Sequence, residues 1–236
     1  ARAALEAMSD HDVATLTRTI AAGLPGGTTD ALDLEAFRAR LAAYSGVDAP
    51  KLRAHLVQFL QAVAPKAEAL GVKLTLHPDD PPRPLFGLPR IASTAADYQA
   101  LFDAVPSPAN GMCYCTGSLG VAAHNDLPAM AAQFASRIHF AHLRSTRRQD
   151  DGSFHEADHM DGDVDMVAVL AALLAEDRGR AATAKITFRP DHGHRMLDDL
   201  NKRTNPGYSA IGRLKGLAEL RGAIKVLEYD LKAATI

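Results

Sequence analysis

The sequence has no tryptophan, only two cysteines among its 236 residues, and no excess of charge of either sign. Its 26 lysines and arginines stand against 28 aspartates and glutamates, which gives a formal net charge of −2. Proteins that bind nucleic acids or membrane surfaces electrostatically carry a basic stripe or patch. No apolar run approaches the roughly 20 residues that cross a bilayer. We therefore expect neither a nucleic acid nor a membrane as a partner.

The two cysteines, Cys113 and Cys115, are too few to build a disulfide framework. This scarcity favours a reducing compartment, and we expect the protein to be cytoplasmic. Hydrophobic residues make up 47% of the chain and charged residues 23%, the usual proportions of a folded globular protein rather than a disordered one.

The first 70 residues have the pattern of helices. They are rich in alanine, and apolar residues recur at spacings of three and four, as in Leu52, Leu56 and Phe59. Residues 24–27 (LPGG) break this pattern, and Asp33 is a candidate helix N-cap. The chain begins with Ala1 inside polar helical sequence, from which we expect the natural polypeptide to be processed, cleaved or longer than this sequence.

After residue 71 short apolar segments alternate with helical ones. The four segments predicted as strands are 72–76, 111–115, 138–144 and 185–188. One predicted helix begins at Ser93 or Thr94, and three others cover 127–134, 164–175 and 212–220. Residues 224–229 suit either a last strand or the end of a helix. We expect a polar loop after residue 144. This alternation predicts βαβ units and a parallel sheet.

No glycine-rich phosphate-binding turn follows any of these strands, which disfavours a nucleotide-binding sheet. A (β/α)8 TIM barrel fits better, although only four or five βα units can be counted and a whole barrel takes about 250 residues. We therefore predict a helical segment over residues 1–70 and the C-terminal part of a barrel over 71–236, with the missing strands upstream of Ala1.

A residue able to bind metal lies at the C-terminal end of each predicted strand. These residues are His77, Cys115, His142 and Asp191. A lone histidine or cysteine at a strand end is more often structural, but strand ends in a barrel share one mouth. Two imidazoles, a thiolate and a carboxylate suit a first-row divalent cation such as Zn²⁺, Fe²⁺ or Mn²⁺ rather than Mg²⁺ or Ca²⁺.

Several further residues near these strand ends are candidates for the site. Cys113 shares a strand face with Cys115 but is farther from the strand end, so we expect it in the core. His192 and Tyr208 are candidate acid–base groups. Arg144 and Arg83 are candidates for binding a substrate carboxylate, against the alternative of solvated surface charges.

Residues 155–159 (HEADH) match the H-E-x-x-H motif of metalloproteases. That motif requires a helix that places both histidines on one face, whereas here acidic and glycine-containing segments flank it closely and no apolar stripe accompanies it. We therefore predict a loop over the barrel mouth in which His155 or His159 reaches the substrate.

Seven segments together resemble the mannonate dehydratase family. They are residues 77–84 (HPDDPPRP), 85–90 (LFGLPR), 115–118 (CTGS), 142–145 (HLRS), 154–156 (FHE), 189–194 (RPDHGH) and 205–212 (NPGYSAIG). The resemblance implies a xylose-isomerase-like TIM barrel that dehydrates D-mannonate, a small sugar acid, to 2-keto-3-deoxy-D-gluconate in bacterial hexuronate breakdown. It also implies Mn²⁺ or Fe²⁺ on His77, Cys115, His142 and Asp191, with acid–base roles for His192 and Tyr208.

Members of that family are longer at the N-terminus than this sequence. If these residues were the whole polypeptide, we would expect it to be inactive alone, and if not, we expect activity. Two alternatives to a dehydratase are a metal-dependent sugar isomerase on the same fold and an inactive truncated barrel that binds a ligand. The sequence leaves a homo-oligomer open.

Overall fold

A computed structural model of the chain describes residues 2–22 and 33–233. The chain divides into two compact units, Ala1–Val47 and Asp48–Ile236. The described part of the first unit contains α1 (Arg2–Glu6), α2 (Asp10–Ala22) and α3 (Leu34–Ala42). Asp33 caps α3 as predicted, because its side chain accepts a 2.7 Å hydrogen bond from the amide of Ala36. The predicted break at 24–27 lies outside the described residues.

The second unit begins with α4 (Ala49–Ala69), which Asp48 caps by accepting from the amide of Lys51. The helical character predicted for residues 1–70 is therefore confirmed for the described residues. Leu60 and Ala64 of this helix pack in a buried cluster with Leu101 and Val105. The division at residue 70 stays a prediction.

The strands of the second unit are β1 (Leu74–Leu76), β2 (Asn110–Cys115), β3 (Ile138–His142), β4 (Ser145–Arg148), β5 (Phe154–Ala157) and β6 (Thr187–Arg189). The four predicted strands correspond to β1, β2, β3 and β6, which form one parallel sheet in that order. Its C-terminal edge is in register, since Cys115 is opposite His142 and His142 is opposite Arg189. This edge carries the candidate site.

The segment after residue 144 is not the loop that its polar composition predicts. β4 and β5 form an antiparallel hairpin in which Ser145 is opposite Ala157 and Thr146 is opposite Glu156. The inner part of β4 is buried although its residues are polar, so no apolar alternation marks it as a strand. The H-E-x-x-H segment lies on β5 and the turn after it, which excludes the metalloprotease helix.

The remaining helices are α5 (Ala95–Ala104), α6 (Thr116–Gly120), α7 (Leu127–Gln133), α8 (Met166–Gly179) and α9 (Ala210–Ala233). Thr94 and Asp97 form a full capping box at the start of α5, as expected from a start at 93 or 94. Helix α9 runs through 224–229, so that segment is helix and not strand. None of the described helices is long and apolar enough to span a membrane.

The core of the second unit lies between the sheet and helices α5, α7, α8 and α9. Two buried tyrosines at its centre have their hydroxyls paired, because Tyr98 donates to the carbonyl of Leu76 and Tyr114 to that of Leu127. Burial raises the pKa of both phenols well above the ordinary value, so both remain protonated donors. These bonds fix α5 and α7 against the ends of β1 and β2.

Candidate active site

The four predicted metal ligands come together at the C-terminal edge of the sheet. Nε2 of His77 lies 3.1 Å from Nδ1 of His142, and the two ring centroids are 5.0 Å apart. The same Nδ1 atom lies 3.8 Å from Oδ2 of Asp191. The sulfur of Cys115 belongs to the same neighbourhood, because Cys115 is opposite His142 in the sheet. Strand register thus gathers residues that are distant in sequence.

Two groups of three residues have the geometry to hold a metal ion. In the first, ligand atoms of Cys115, His142 and Asp191 all lie within 4.8 Å of one another, and all three residues are buried. In the second, ligand atoms of His77, Cys113 and His142 lie within the same distance of one another, but His77 is exposed. His142 belongs to both groups. The structure therefore brings the four predicted ligands around one imidazole, and it adds Cys113, which was expected in the core, as a second nearby sulfur.

The two sulfurs differ in their surroundings. The sulfur of Cys115 accepts hydrogen bonds from the amide and the hydroxyl of Ser118, at 3.4 and 3.1 Å. Burial, with a smaller contribution from Cys115, raises the pKa of the Cys113 thiol to about 12. Of the two, Cys115 has the environment of a ligand.

Asp191 has a backbone conformation unusual for any residue but glycine, with φ of +57°. Such strain is concentrated at functional sites in proteins. Burial opposes ionisation of its carboxyl, but the nearby His192, His142, Arg144 and Arg189 outweigh it and hold the pKa of Asp191 below its ordinary value. The group is therefore a carboxylate at neutral pH, the form that binds a cation.

The guanidinium of Arg144 lies at the centre of an ionic cluster and is only 5% exposed. Nη2 is 2.6 Å from Oδ2 of Asp80, Nη1 is 2.8 Å from Oε1 of Glu156, and Nε is 3.6 Å from Oδ2 of Asp191. Burial would lower the pKa of Arg144, but Cys115 and these carboxylates raise it above the ordinary value. The arginine thus remains charged and connects the proline-rich loop, the hairpin and the segment after β6.

Gly117 makes room for that guanidinium. A Cβ atom at this position would lie 1.9 Å from Nε of Arg144, closer than any real contact. Since the backbone of Gly117 has an ordinary conformation, the requirement for glycine here is steric. This explains a glycine in the segment 115–118.

The two predicted acid–base residues face each other. The rings of His192 and Tyr208 are 5.2 Å apart and inclined by 66°. A hydrogen bond from the amide of Gly193 to the carbonyl of Gly207 holds together the segments that carry them. Gly207 has a φ of +81°, a conformation that favours glycine. Nδ1 of His192 lies 2.7 Å from Oε1 of Glu156. The pair is therefore adjacent to both the metal-ligand groups and the ionic cluster.

The sequence profile described as D-mannonate dehydratase (UxuA) matches residues 3–233. The chain belongs to the mannonate dehydratase family. A mannonate dehydratase of Brucella canis is 62% identical over 98% of this chain, which spans 59% of that relative's length.

Solved structures agree with the family. The crystal structure of mannonate dehydratase from Streptococcus suis serotype 2 has a TM-score of 0.77 and 32% identity, over 86% of this chain and 57% of that one. A xylose isomerase-like TIM barrel protein from Mycobacterium smegmatis, at 20% identity, has a TM-score of 0.51 over 75% of this chain and 53% of that one, and supports the fold alone. The predicted TIM-barrel class is confirmed.

Two residues predicted to bind substrate in this mannonate dehydratase family member lie outside the ionic cluster. Arg83 is exposed, donates to the carbonyl of Gly152 at 2.8 Å, and places its guanidinium 5.8 Å from the ring centroid of Phe154. It thereby connects the proline-rich loop to the tip of the hairpin. His155 is exposed, with Nδ1 3.3 Å from the side-chain nitrogen of Gln149, and lines a cleft of about 430 Å³. Their substrate roles stay predictions.

Two carboxylates of the cluster were not singled out from the sequence. Asp80 lies in the proline-rich loop, and Glu156 lies beside His155 on β5. Within a strand, neighbouring side chains point to opposite faces. Once residues 154–157 are known to be a strand, His155 and Glu156 are expected on opposite faces of it, and it is Glu156 that reaches Arg144 and His192.

Proposed function

We propose that the protein carrying this chain dehydrates D-mannonate to 2-keto-3-deoxy-D-gluconate, with Mn²⁺ or Fe²⁺ as cofactor. The observation that carries the proposal is the pairing of His192 with Tyr208 directly beside the ligand atoms of Cys115, His142 and Asp191. Membership of the mannonate dehydratase family supports this substrate. The proposed setting is hexuronate breakdown in the bacterial cytoplasm.

The donor set fits a first-row divalent cation. His77, Cys115, His142 and Asp191 offer two imidazole nitrogens, a sulfur and an ionised carboxylate, a mixture that such ions accept and that Mg²⁺ and Ca²⁺ do not prefer. When bound, a cation supplies positive charge that stabilises the negative charge developing on the substrate carboxylate and C2.

The chain's own residues move the protons. One of His192 and Tyr208 removes the proton from C2 of mannonate, and the electron pair of that C–H bond forms a double bond between C2 and C3. The C3–oxygen bond breaks, and the other residue of the pair gives a proton to the departing hydroxyl, which leaves as water. The resulting enol loses the proton of its C2 hydroxyl to solvent, gains a proton at C3 and becomes the 2-keto acid.

Arg144 is our candidate for orienting the substrate carboxylate. A guanidinium presents a planar fork that matches a carboxylate, and this one is held in place by Asp80 and Glu156. Arg83 and His155 are proposed as contacts at the rim, on the proline-rich loop and the hairpin.

The test is to incubate the natural polypeptide that carries this sequence with D-mannonate and Mn²⁺ and to measure the product. A 2-keto acid lighter than the substrate by one water supports the proposal. A product of unchanged mass would identify an isomerase, and no product together with tight binding of mannonate would identify a binding protein. Either result contradicts the proposal.

Two variants separate the proposed roles. We expect His192→Asn to retain the metal content of the parent and lose most turnover, and His142→Ala to lose the metal itself. His55→Ala is the matched control, since His55 is exposed on α4. Turnover by His192→Asn at the parental rate would show that His192 has no acid–base role.

A further inference from the structure

Glu156 is the one acidic side chain by which the β4–β5 hairpin enters the ionic cluster. It is opposite the buried Thr146 on β4, whereas its neighbour His155 is opposite the exposed Arg147. The alternation of the strand therefore aims Glu156 toward the sheet and His155 away from it. The hairpin presents a single carboxylate to the residues at the sheet edge.

That carboxylate contacts two residues through one oxygen. Oε1 of Glu156 lies 2.7 Å from Nδ1 of His192 and 2.8 Å from Nη1 of Arg144. Nδ1 and Nη1 are in turn 2.8 Å apart. An ionised carboxylate only accepts hydrogen bonds, and a guanidinium only donates them. Nδ1 therefore carries a proton if it bonds to Glu156, and carries none if it bonds to Arg144.

Two arrangements are chemically consistent with these distances. If Nδ1 carries no proton, it accepts from Arg144, but its lone pair then faces the carboxylate oxygen at 2.7 Å. If Nδ1 carries the proton, it donates to Glu156, and Nη1 of Arg144 keeps its own bond to the same oxygen. The second arrangement is favoured because hydrogen bonds to an ionised acceptor are the stronger ones and because it leaves no lone pair against a negative charge.

The other ring nitrogen faces the candidate metal ligands. Nε2 of His192 is 3.9 Å from Oδ1 of Asp191, beyond hydrogen-bond distance. The backbone of Gly207 lies against the imidazole, since a Cβ there would be 3.1 Å from Cγ of the ring. The ring of Tyr208 packs against the imidazole as well. These contacts restrain rotation of the imidazole, so the main change open to His192 is which ring nitrogen carries the proton.

We propose that Glu156 is a positioning residue which accepts the Nδ1 proton of His192 and keeps Nε2 directed at the substrate for proton transfer. The inference rests on the proposed function for its catalytic meaning, but the assignment of the proton stands on the contacts alone. Glu156 acts through His192 and does not touch the reacting atoms.

The first test does not require activity. Histidine labelled with ¹⁵N is introduced, and long-range ¹H–¹⁵N spectra of the metal-free protein in mildly alkaline buffer report which nitrogen carries the proton, with His192→Asn identifying the signal. We expect the Nδ1–H form in the parent and a change toward Nε2–H in Glu156→Ala. A parent with no proton on Nδ1, or a Glu156→Ala protein with an unchanged tautomer, overturns the proposal.

The second test is kinetic and uses Glu156→Gln, which keeps the size of the side chain if Glu156→Ala fails to fold. We expect kcat for mannonate to fall about 10- to 100-fold, as for other residues that orient a working histidine, with KM changed less than about twofold. A raised KM with unchanged kcat would mean that Glu156 binds substrate and would overturn the proposal.

The control is Glu228→Gln, a partly buried carboxylate on α9, remote from the ionic cluster and paired only with Lys225 among the described contacts. It should leave both constants unchanged. If the parent does not turn over mannonate at all, the proposed function fails while the spectroscopic test still decides the role of Glu156, so the two failures are distinguishable.

Discussion

The hydroxyl of Thr116 holds both backbone polar groups of Arg144. The hydroxyl oxygen accepts from the amide of Arg144 at 3.0 Å, and the hydroxyl hydrogen is donated to the carbonyl of the same residue, with 2.6 Å between the two oxygens. Thr116 is completely buried and directly follows Cys115. The contact therefore ties the end of β2 to the end of β3, where two of the candidate ligands lie.

Replacing this hydroxyl by a methyl group should destabilise the protein. We expect Thr116→Val to lower the free energy of unfolding by about 2 kcal/mol, because an amide and a carbonyl of Arg144 lose their partner in a buried place. Urea unfolding measures the change. Thr116→Ser keeps the hydroxyl and loses only a methyl group, which costs about 1 kcal/mol. A valine variant at least as stable as the serine variant would contradict the assigned bonds.

The two cysteines should respond differently to a spectroscopic metal probe. We expect the parent to bind Co²⁺ with a sulfur-to-metal charge-transfer band. Cys115→Ser should abolish that band, because Cys115 lies in the group with His142 and Asp191. Cys113→Ser is the matched control and should retain the band. The opposite pattern would assign the ligand role to Cys113, whose sulfur lies in the group with His77.

Two glycines of helix α9 should have opposite effects on stability when changed to alanine. At Gly216 a Cβ would lie 2.1 Å from Cε1 of the buried His159, whereas at Gly222 no atom lies within 4 Å. We expect Gly216→Ala to lower the free energy of unfolding by about 1–3 kcal/mol through overpacking. Gly222→Ala should raise it by about 0.5–1 kcal/mol, since alanine is the better helix former. The measurement is urea unfolding of both variants and the parent. Equal changes in the free energy of unfolding would contradict the close packing of Gly216 against His159.

The protein should lose stability as His139 is protonated. Burial, reinforced by the charges of Lys73, Arg180 and Arg137, lowers the pKa of His139 from 6.5 to about 4. The pKa of His139 is thus lower in the folded protein than in the unfolded chain. The contribution of His139 to the free energy of unfolding is therefore complete above about pH 6.5, decreases as the pH falls, and changes no further below about pH 4. In urea titrations across that window, His139→Gln should show a shallower loss of stability than the parent.

The exposed His55 provides the comparison for this pH effect. His55→Gln should leave the pH dependence of unfolding as steep as in the parent. If His139→Gln and the parent lost stability in parallel, His139 would not be held neutral in the folded protein.

The main sheet was predictable because its four strands lie in short apolar segments that alternate with helical ones after residue 71. The β4–β5 hairpin was missed for a physical reason. Its inner residues Ser145 and Thr146 are buried but polar, so the strand shows no apolar alternation. Residues 224–229 were ambiguous because the short apolar run suits either element, and it is the packing of Ile224 and Leu227 against the core that continues the helix.

The candidate site was predictable where it depends on the sheet. Carboxyl ends of parallel strands meet at one edge, which is enough to bring His77, Cys115, His142 and Asp191 together once the strands are found. Glu156 could not be found this way. A carboxylate in a polar segment has the same appearance in sequence as a solvated charge, and only the fold of the hairpin distinguishes the two.

The position of His142 in both candidate ligand groups has a consequence for the folding of this chain. The other candidate ligands come from segments far apart in sequence. They are therefore not held close to His142 in the unfolded chain. A cation that binds only the assembled edge would shift the unfolding equilibrium by mass action. The thermal midpoint of unfolding should then rise with the logarithm of the free Mn²⁺ concentration. The size of that rise would measure how strongly metal binding is coupled to the assembly of the sheet.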